Sequence, residues 1–313
     1  MHDFLSIIFD DLHLTGVGFF FVSAGGRWAG EFNQPGRSIF HAVLQGRLAV
    51  EVDGAMLTLE AGDILILPTG AAHRLRMPQG DPAAVSVDLS EHFQTHRRQT
   101  VSLGEGETTA FLISASCSFD AELGQPLMSA LPAAIPIRGN AAEPPEWLRI
   151  GIQFLLQESR ELRPGHQSIL NRLGDIWFLE CLRTYIDSLP EGNESWLRAL
   201  KDPALASVLS AIHREPGRDW TVHTLAEQAC LSRSAFADRF QRIMGKPPLT
   251  YVSEHRMRLA AWELRHTEQP VCRIAEQVGY ASETAFGQAF KRVHGLAPGR
   301  YREQLRQQAQ NLI

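Results

Sequence analysis

Two histidines in the first half of the chain could do chemistry. His41 stands just before "VLQG", and His73 closes the loop in "AGDILILPTGAAHRL", residues 61–75. An imidazole can ligate a metal, hydrogen-bond an organic molecule, or brace the loop that follows Pro68. All three roles fit His73, and His41 divides the same way. Two histidines fall short of a catalytic metal centre, which takes three protein ligands and an open position. A divalent metal is therefore the one candidate cofactor, and none is required. Trp28 and Arg37 are the further candidates for lining an effector pocket. The cysteines, Cys117, Cys181, Cys230 and Cys272, form no C-x-x-C pair, so they read as small buried apolar residues, with redox sensing by Cys117 the lesser reading.

A second chemistry is written in the other half. "CLSRSAFADRFQRIMGKPP" (230–248) returns fifty residues later as "YASETAFGQAFKRVHGLAP" (280–298). Phe236/Phe240 and Phe286/Phe290 are spaced four apart and share the buried face of a helix. The opposite faces carry Ser234, Ala237, Asp238 and Gln241 in one copy, and Thr284, Gly287, Gln288 and Lys291 in the other. Short or polar side chains let a helix lie deep in a major groove and meet base edges. Arg233, Arg242, Lys291 and Arg292 flank those faces, where phosphates would lie.

The elements that must position these residues follow from the same text. "TVHTLAEQA" and "PVCRIAEQVG" repeat apolar residues at helical spacing ahead of each copy. Ser232 and Ser282 suit helix N-caps, and Gly245 and Gly295 suit left-handed C-terminal turns. Helix, tight turn and capped helix is the helix-turn-helix pattern. Between the copies, residues 249–267 read as one long helix of roughly 27 Å. It would hold two recognition helices about one duplex turn apart, which makes the repeat a spacing device. From residue 200 onward there are 16 Lys+Arg against 11 Asp+Glu, leaving 14 against 24 in residues 1–199, which contain no lysine. A nucleic-acid-binding module joined to an acidic partner domain has this asymmetry.

The acidic half changes character. "GVGFFFV", "SIFHAVLQGRLAVEVDG", "AMLTLEAGDILILP" and "AVSVDLS" are short β-rich runs separated by Gly and Pro, as in a small barrel or jelly roll. Residues 145–189 then read as two helices broken at Pro164-Gly165, with more apolar surface than one small barrel covers. A dimer interface and simple docking onto the barrel are both open. "DSLPEGNESW", 187–196, reads as a flexible linker. No apolar run approaches the roughly 20 residues needed to span a bilayer. Asp3, Asp10 and Asp11 without a basic n-region do not make a secretory signal, so a cytoplasmic location without membrane association is expected.

Residues 203–306 resemble the DNA-binding domain of the AraC/XylS transcription regulators, most strongly at Gly279-Tyr280 and Pro298-x-x-Tyr301-Arg302. Gly62-Asp63 with Pro68-x-Gly70-x-x-His73 resembles the second motif of cupin barrels, whereas the first cupin motif is not present. The resemblance implies a multidomain α+β chain. Its parts are a cupin-like sensor (1–145), a helical pair that could dimerise (146–189), a linker (190–202) and an all-α double helix-turn-helix domain (203–313). It also implies double-stranded promoter DNA, a small-molecule or ion effector and RNA polymerase as partners, a homodimer, and no enzymatic activity. The base readers carried over are Ser234, Ala237, Asp238, Thr284, Gly287 and Gln288. Many relatives carry a cysteine six residues before the Asp of a Phe-Asp pair, and here that position is Ser114. Cysteine-based oxidant sensing therefore has no residue-level support. A cupin enzyme with a helical appendage would leave the repeat unexplained, while a barrel that only dimerises remains open.

Overall fold

Apolar runs punctuated by Gly and Pro fold, in the computed structural model, into ten strands among the described residues. These are β1 (Thr15–Gly25), β2 (Ala29–Phe32), β3 (Arg37–Val52), β4 (Ala55–Glu60), β5 (Ile64–Leu67), β6 (His73–Arg76), β7 (Val87–Asp88), β8 (Thr100–Leu103), β9 (Thr108–Ser118) and β10 (Ile135–Ile137). The helices are α1 (Phe4–Leu12), α2 (Gln125–Ala130), α3 (Glu146–Glu158), α4 (His166–Ser188), α5 (Trp196–Ala199), α6 (Pro203–Arg214), α7 (Val222–Gln228), α8 (Arg233–Met244), α9 (Pro248–His266), α10 (Val271–Gln277), α11 (Glu283–His294) and α12 (Pro298–Gln310). The structure describes residues 4–12, 14–78, 86–94, 99–120, 122–139, 145–158, 163–190 and 196–310. Half of the stretch read as a flexible linker, residues 191–195, lies outside them.

The chain forms two compact units. The strand-rich unit comprises His13–Asp120 and Leu127–Leu189, and the helical unit comprises Met1–Leu12, Ala121–Pro126 and Pro190–Ile313. The boundaries read at 145 and 202 are thus not unit boundaries: the helical pair belongs with the strands, while α1 and residues 121–126 belong with the helix-turn-helix motifs. The linker read over 190–202 is partly structural, since Leu197 and Ala199 are buried and Asp202 caps α6.

The strand-rich unit is built around β3, which pairs with β5 and β9 along its first half and with β4 and β6 along its second. The change of partners is made at Gly46. Its φ is +76°, and a Cβ there would stand 1.9 Å from the Thr109 carbonyl oxygen. The register against β9 slips beside it, between Val43 and Gln45, so the strand bends and the sheet curls as a bulge allows. Alternate residues of β1, β3 and β9 line a filled interior with Phe20, Val22, Ile39, Val43 and Leu112, joined by Trp28, Phe32 and Phe93. The other face of the same strands carries the helical pair. Asn171 Oδ1 accepts from the Val17 N–H and Gln167 Nε2 donates to the Val17 carbonyl, while Phe178 meets Phe40 edge-on. Docking is therefore real, but it uses only part of the helices' apolar surface. Ile150, Phe154, Ile169 and Ile176 remain 38–54% exposed.

In the helical unit, α7–α8 and α10–α11 are the two helix-turn-helix motifs, and α9 joins them. Nineteen residues of α9 give a rod of about 28 Å. Its apolar stripe and those of α10 and α11 share a core of Met257, Ala260, Leu264, Ile274, Phe286 and Phe290. Helix α1 packs on α6, burying Phe4, Ile8 and Leu12, with Phe4 edge-on to His213.

Candidate nucleic-acid interface and sensor site

Each recognition helix is held by its own cap. Ser232 Oγ accepts from the Ala235 N–H at the start of α8, and Ser282 Oγ does the same for Ala285 at the start of α11. Gly245 and Gly295 close them at φ +71° and +76°. The preceding turns match in their hydrogen bonds. Leu231 N–H donates to the Ala226 carbonyl and Tyr280 N–H to that of Ala275. The left-handed position is Gly279 in the second turn and Cys230, at φ +54°, in the first. Cys230 and Cys272 are exposed, which corrects the reading of all four cysteines as buried. The turn turns the Cys230 side chain outward, and Cys272 lies in the first turn of a short helix. Cys117 and Cys181 are buried, and burial pushes the Cys117 thiol up to about 12.

Phe236, Phe240, Phe286 and Phe290 are fully buried, so the opposite faces point outward. Arg233, Ser234, Asp238, Gln241 and Arg242 are exposed on α8, as are Thr284, Gln288, Lys291 and Arg292 on α11. Ala237 and Gly287 are half-buried, and a Cβ at Gly287 would meet nothing within 4 Å. Arg233, Lys291 and Arg292 have no ion-pair partner among the described residues, leaving their donors for phosphate. Sequence reasoning missed Arg239, whose guanidinium binds Asp202 through Nε and Nη2 at 2.8 and 2.6 Å. Asp202 also caps α6 through the Ala204 and Leu205 N–H groups, so one carboxylate fixes α8 to α6.

The sensor candidates converge only in part. His41 Nε2 and His73 Nε2 lie 2.7 Å apart, His41 Nδ1 is 2.8 Å from Ser114 Oγ, and His73 Nδ1 is 2.7 Å from the Ala71 carbonyl oxygen. The carbonyl fixes the proton on His73 Nδ1. The consistent chain is then Ser114 O–H to His41 Nδ1, His41 Nε2–H to His73 Nε2, and His73 Nδ1–H to the carbonyl. Both rings are neutral. Burial, then the neighbouring ring, holds His41 well below its ordinary range, and burial takes His73 to about 4. Phe32 stacks on His73 at 4.9 Å and seals the pair. Ser114, where the resemblance places a cysteine in many relatives, is the residue that holds His41.

Two imidazoles sharing one tetrahedral zinc would hold their nitrogens about 3.3 Å apart, wider than the distance here. The described residues contain no group of three or more metal-ligating side chains, so the pair does not fit a cupin-type metal centre. Trp28 is buried in the same interior, with Nε1 lacking a partner among the described residues. Arg37 is drawn elsewhere, donating to Ser116 Oγ, Ser118 Oγ and the Gly16 carbonyl, each at 2.8 Å. Four residues separate it from His41 along β3, roughly 13 Å of extended chain.

A cupin family model matches residues 3–187, and a helix-turn-helix domain model matches residues 225–304. The HTH-type transcriptional regulator AlkR of Acinetobacter baylyi is 38% identical over 305 residues, covering 96% of this chain and 99% of that protein. The chain belongs to the AraC-type transcription regulators with a cupin N-terminal domain. An AraC-like transcription regulator of Streptomyces lividans is 34% identical over 97% of each chain. The RCS-specific activator RclR of Escherichia coli is 32% identical over 86% of each. Among solved structures, the DNA-binding domain of AdpA in complex with a target DNA is 30% identical, covering 34% of this chain and 96% of that one, with a TM-score of 0.33. The protein is thus a DNA-binding transcription regulator and not a cupin enzyme. No helix among the described residues is long and apolar enough to cross a membrane.

Proposed function

We propose that this regulator is a cytoplasmic homodimer whose strand-rich unit senses a small effector at the His41–His73 pair and sets the output of promoter-bound protein to RNA polymerase. The observation that carries the sensing role is the buried Ser114–His41–His73 chain in an otherwise apolar interior. Burying polar groups is costly unless their hydrogen bonds are made, and well-packed apolar side chains would serve the fold without that requirement. Buried titratable groups with displaced pKa values cluster at functional sites. A small organic molecule that inserts a donor and an acceptor between the two Nε2 atoms is favoured over a metal, because no third ligand joins them among the described residues.

The deciding test is metal content of the full-length protein beside an identically purified His73→Ala variant. No metal in either is the expected outcome. Stoichiometric metal in the wild type, lost in the variant, would replace the organic effector with a metal-dependent sensor.

The homodimer is supported by the exposed apolar residues of α3 and α4. Ile150 and Phe154 are one turn apart on α3, and Ile169 and Ile176 are seven apart on α4. Phe154→Glu with Ile176→Glu should halve the mass measured by light scattering while leaving the circular dichroism spectrum unchanged. An unchanged dimer mass would place the interface elsewhere.

A further inference from the structure

Each helix-turn-helix motif is braced from behind by a tyrosine on the helix that follows its recognition helix. Tyr251 meets Phe240 edge-on with centroids 5.9 Å apart, and Tyr301 meets Phe290 in the same way at 5.3 Å. Tyr301 also lies 5.4 Å from His294, at the last turn of α11. The two hydroxyls differ in what holds them. Tyr251 OH lies 2.9 Å from His213 Nε2, on α6 of the helix-turn-helix domain itself. Tyr301 OH donates to Glu122 Oε1 at 2.9 Å. Glu122 also faces Arg265 Nη2 at 3.6 Å, at the end of α9. Glu122 lies in the short segment that follows β9 by four residues in the chain yet belongs to the helical unit. The repeat thus supplies both tyrosines, and the second donates to a carboxylate from a segment embedded in the sensor half of the sequence.

We infer that Glu122 is a positioning residue for the second helix-turn-helix motif: through Tyr301 it fixes the packing of α12 on α11, and so the angle at which α11 meets DNA. The carboxylate acts through the tyrosine ring on Phe290 and faces Arg265 at the end of α9. It accepts from the Tyr301 hydroxyl and pairs with the Arg265 guanidinium in a half-buried site, where a charge-assisted bond is stronger than a neutral one. Any displacement of the end of β9 has a covalent path of four residues to this contact. The first motif's tyrosine instead takes its partner His213 from α6, which in turn meets Phe4 of α1. The second motif is therefore the one whose DNA reading the 121–126 segment can alter.

The test uses full-length protein and a duplex that the wild type selects from a random-sequence pool, with and without scrambling of the half bound by the second motif. Glu122→Ala and Tyr301→Phe should each weaken binding to the intact duplex about tenfold, the scale of one charge-assisted hydrogen bond. The double variant should be no weaker than either single one, and the difference from wild type should vanish on the scrambled duplex. Loss of a negative charge alone would tighten DNA binding, so weakening by Glu122→Ala reports lost positioning. Tyr301→Phe keeps that charge and should match it. A general loss of stability would weaken both duplexes alike and would overturn the inference, as would wild-type affinity in Tyr301→Phe. Hydrogen exchange without DNA gives an independent reading: amides of α11 and α12 should exchange several-fold faster in both variants, with α8 unchanged. Wild-type exchange in α11 would overturn the positioning role. The inference rests on the DNA-binding conclusion, and a wild type that selected no duplex would count against that conclusion, leaving exchange to decide the role of Glu122.

Discussion

The two buried imidazoles give the strand-rich unit a pH dependence of known sign. Both rings are neutral in the folded protein, with His73 taken to about 4 and His41 held well below its ordinary range by burial and the neighbouring ring, whereas in the unfolded chain each titrates near 6.5. Above that value neither state binds the protons and stability is flat. As pH falls from 6.5 towards 4 the unfolded chain takes up protons that the folded one does not, so stability is lost. His73 alone accounts for roughly 3 kcal/mol across that window. Chemical denaturation of the full-length protein at pH 7.5, 6 and 5 should show the decline in the first-melting or second-melting transition that His73→Phe flattens. A decline of unchanged slope in that variant would assign the effect to other groups. Sequence reasoning found both histidines because each sits beside a Gly- or Pro-marked turn. It placed them in one candidate site but not in direct contact, since the 2.7 Å approach depends on the register of β3 against its neighbours. Arg37 is a candidate for the same effector pocket in the sequence, but the serines of β9 hold it.

At the scale of the element, the repeat allows one turn to be checked against the other. Gly279 occupies its left-handed position without steric cost, while Cys230 carries a Cβ there, worth about 1 kcal/mol of strain. Cys230→Gly should therefore raise stability by about 1 kcal/mol and remove an exposed thiol. The opposite change costs more in the second turn. A Cβ on Gly279 would stand 2.6 Å from the Gly217 carbonyl oxygen and 2.9 Å from Arg256 Nη2, so Gly279→Ala should lose well over 1 kcal/mol. Calorimetry on the two variants separates these outcomes, and equal melting temperatures would dismiss the strain argument. The motifs were legible because a helix-turn-helix is local: caps, turn and buried phenylalanines all lie within about 25 residues of each other. Helix α1 and the 121–126 segment were not legible, because their partners, α6 on one side and Tyr301 with Arg265 on the other, lie more than 140 residues away in the chain.

For the whole molecule, the two units differ in how they were cut from the sequence. The strand-rich unit is nearly one stretch, but the helical unit draws on three. A fragment of residues 190–313 retains both recognition helices and their caps, yet it lacks α1, so the surface of α6 that covers Phe4, Ile8 and Leu12 becomes bare. Each of those side chains contributes roughly 2 kcal/mol by burial. The fragment should bind DNA at low salt and melt well below the corresponding transition of the intact chain, and adding a peptide of residues 1–12 should restore part of the difference. A fragment as stable as the intact unit would show that α1 contributes little.

The order of the segments also bears on how such regulators could be recombined. The chain passes from one unit to the other four times, at 12/13, 120/121, 126/127 and 189/190. A chimaera spliced once, near residue 190, would graft a foreign sensor while discarding the native α1 and Glu122 with the old one. New sensors joined to this DNA reader would therefore inherit its motifs but not its brace, unless the donor brings a carboxylate to meet Tyr301.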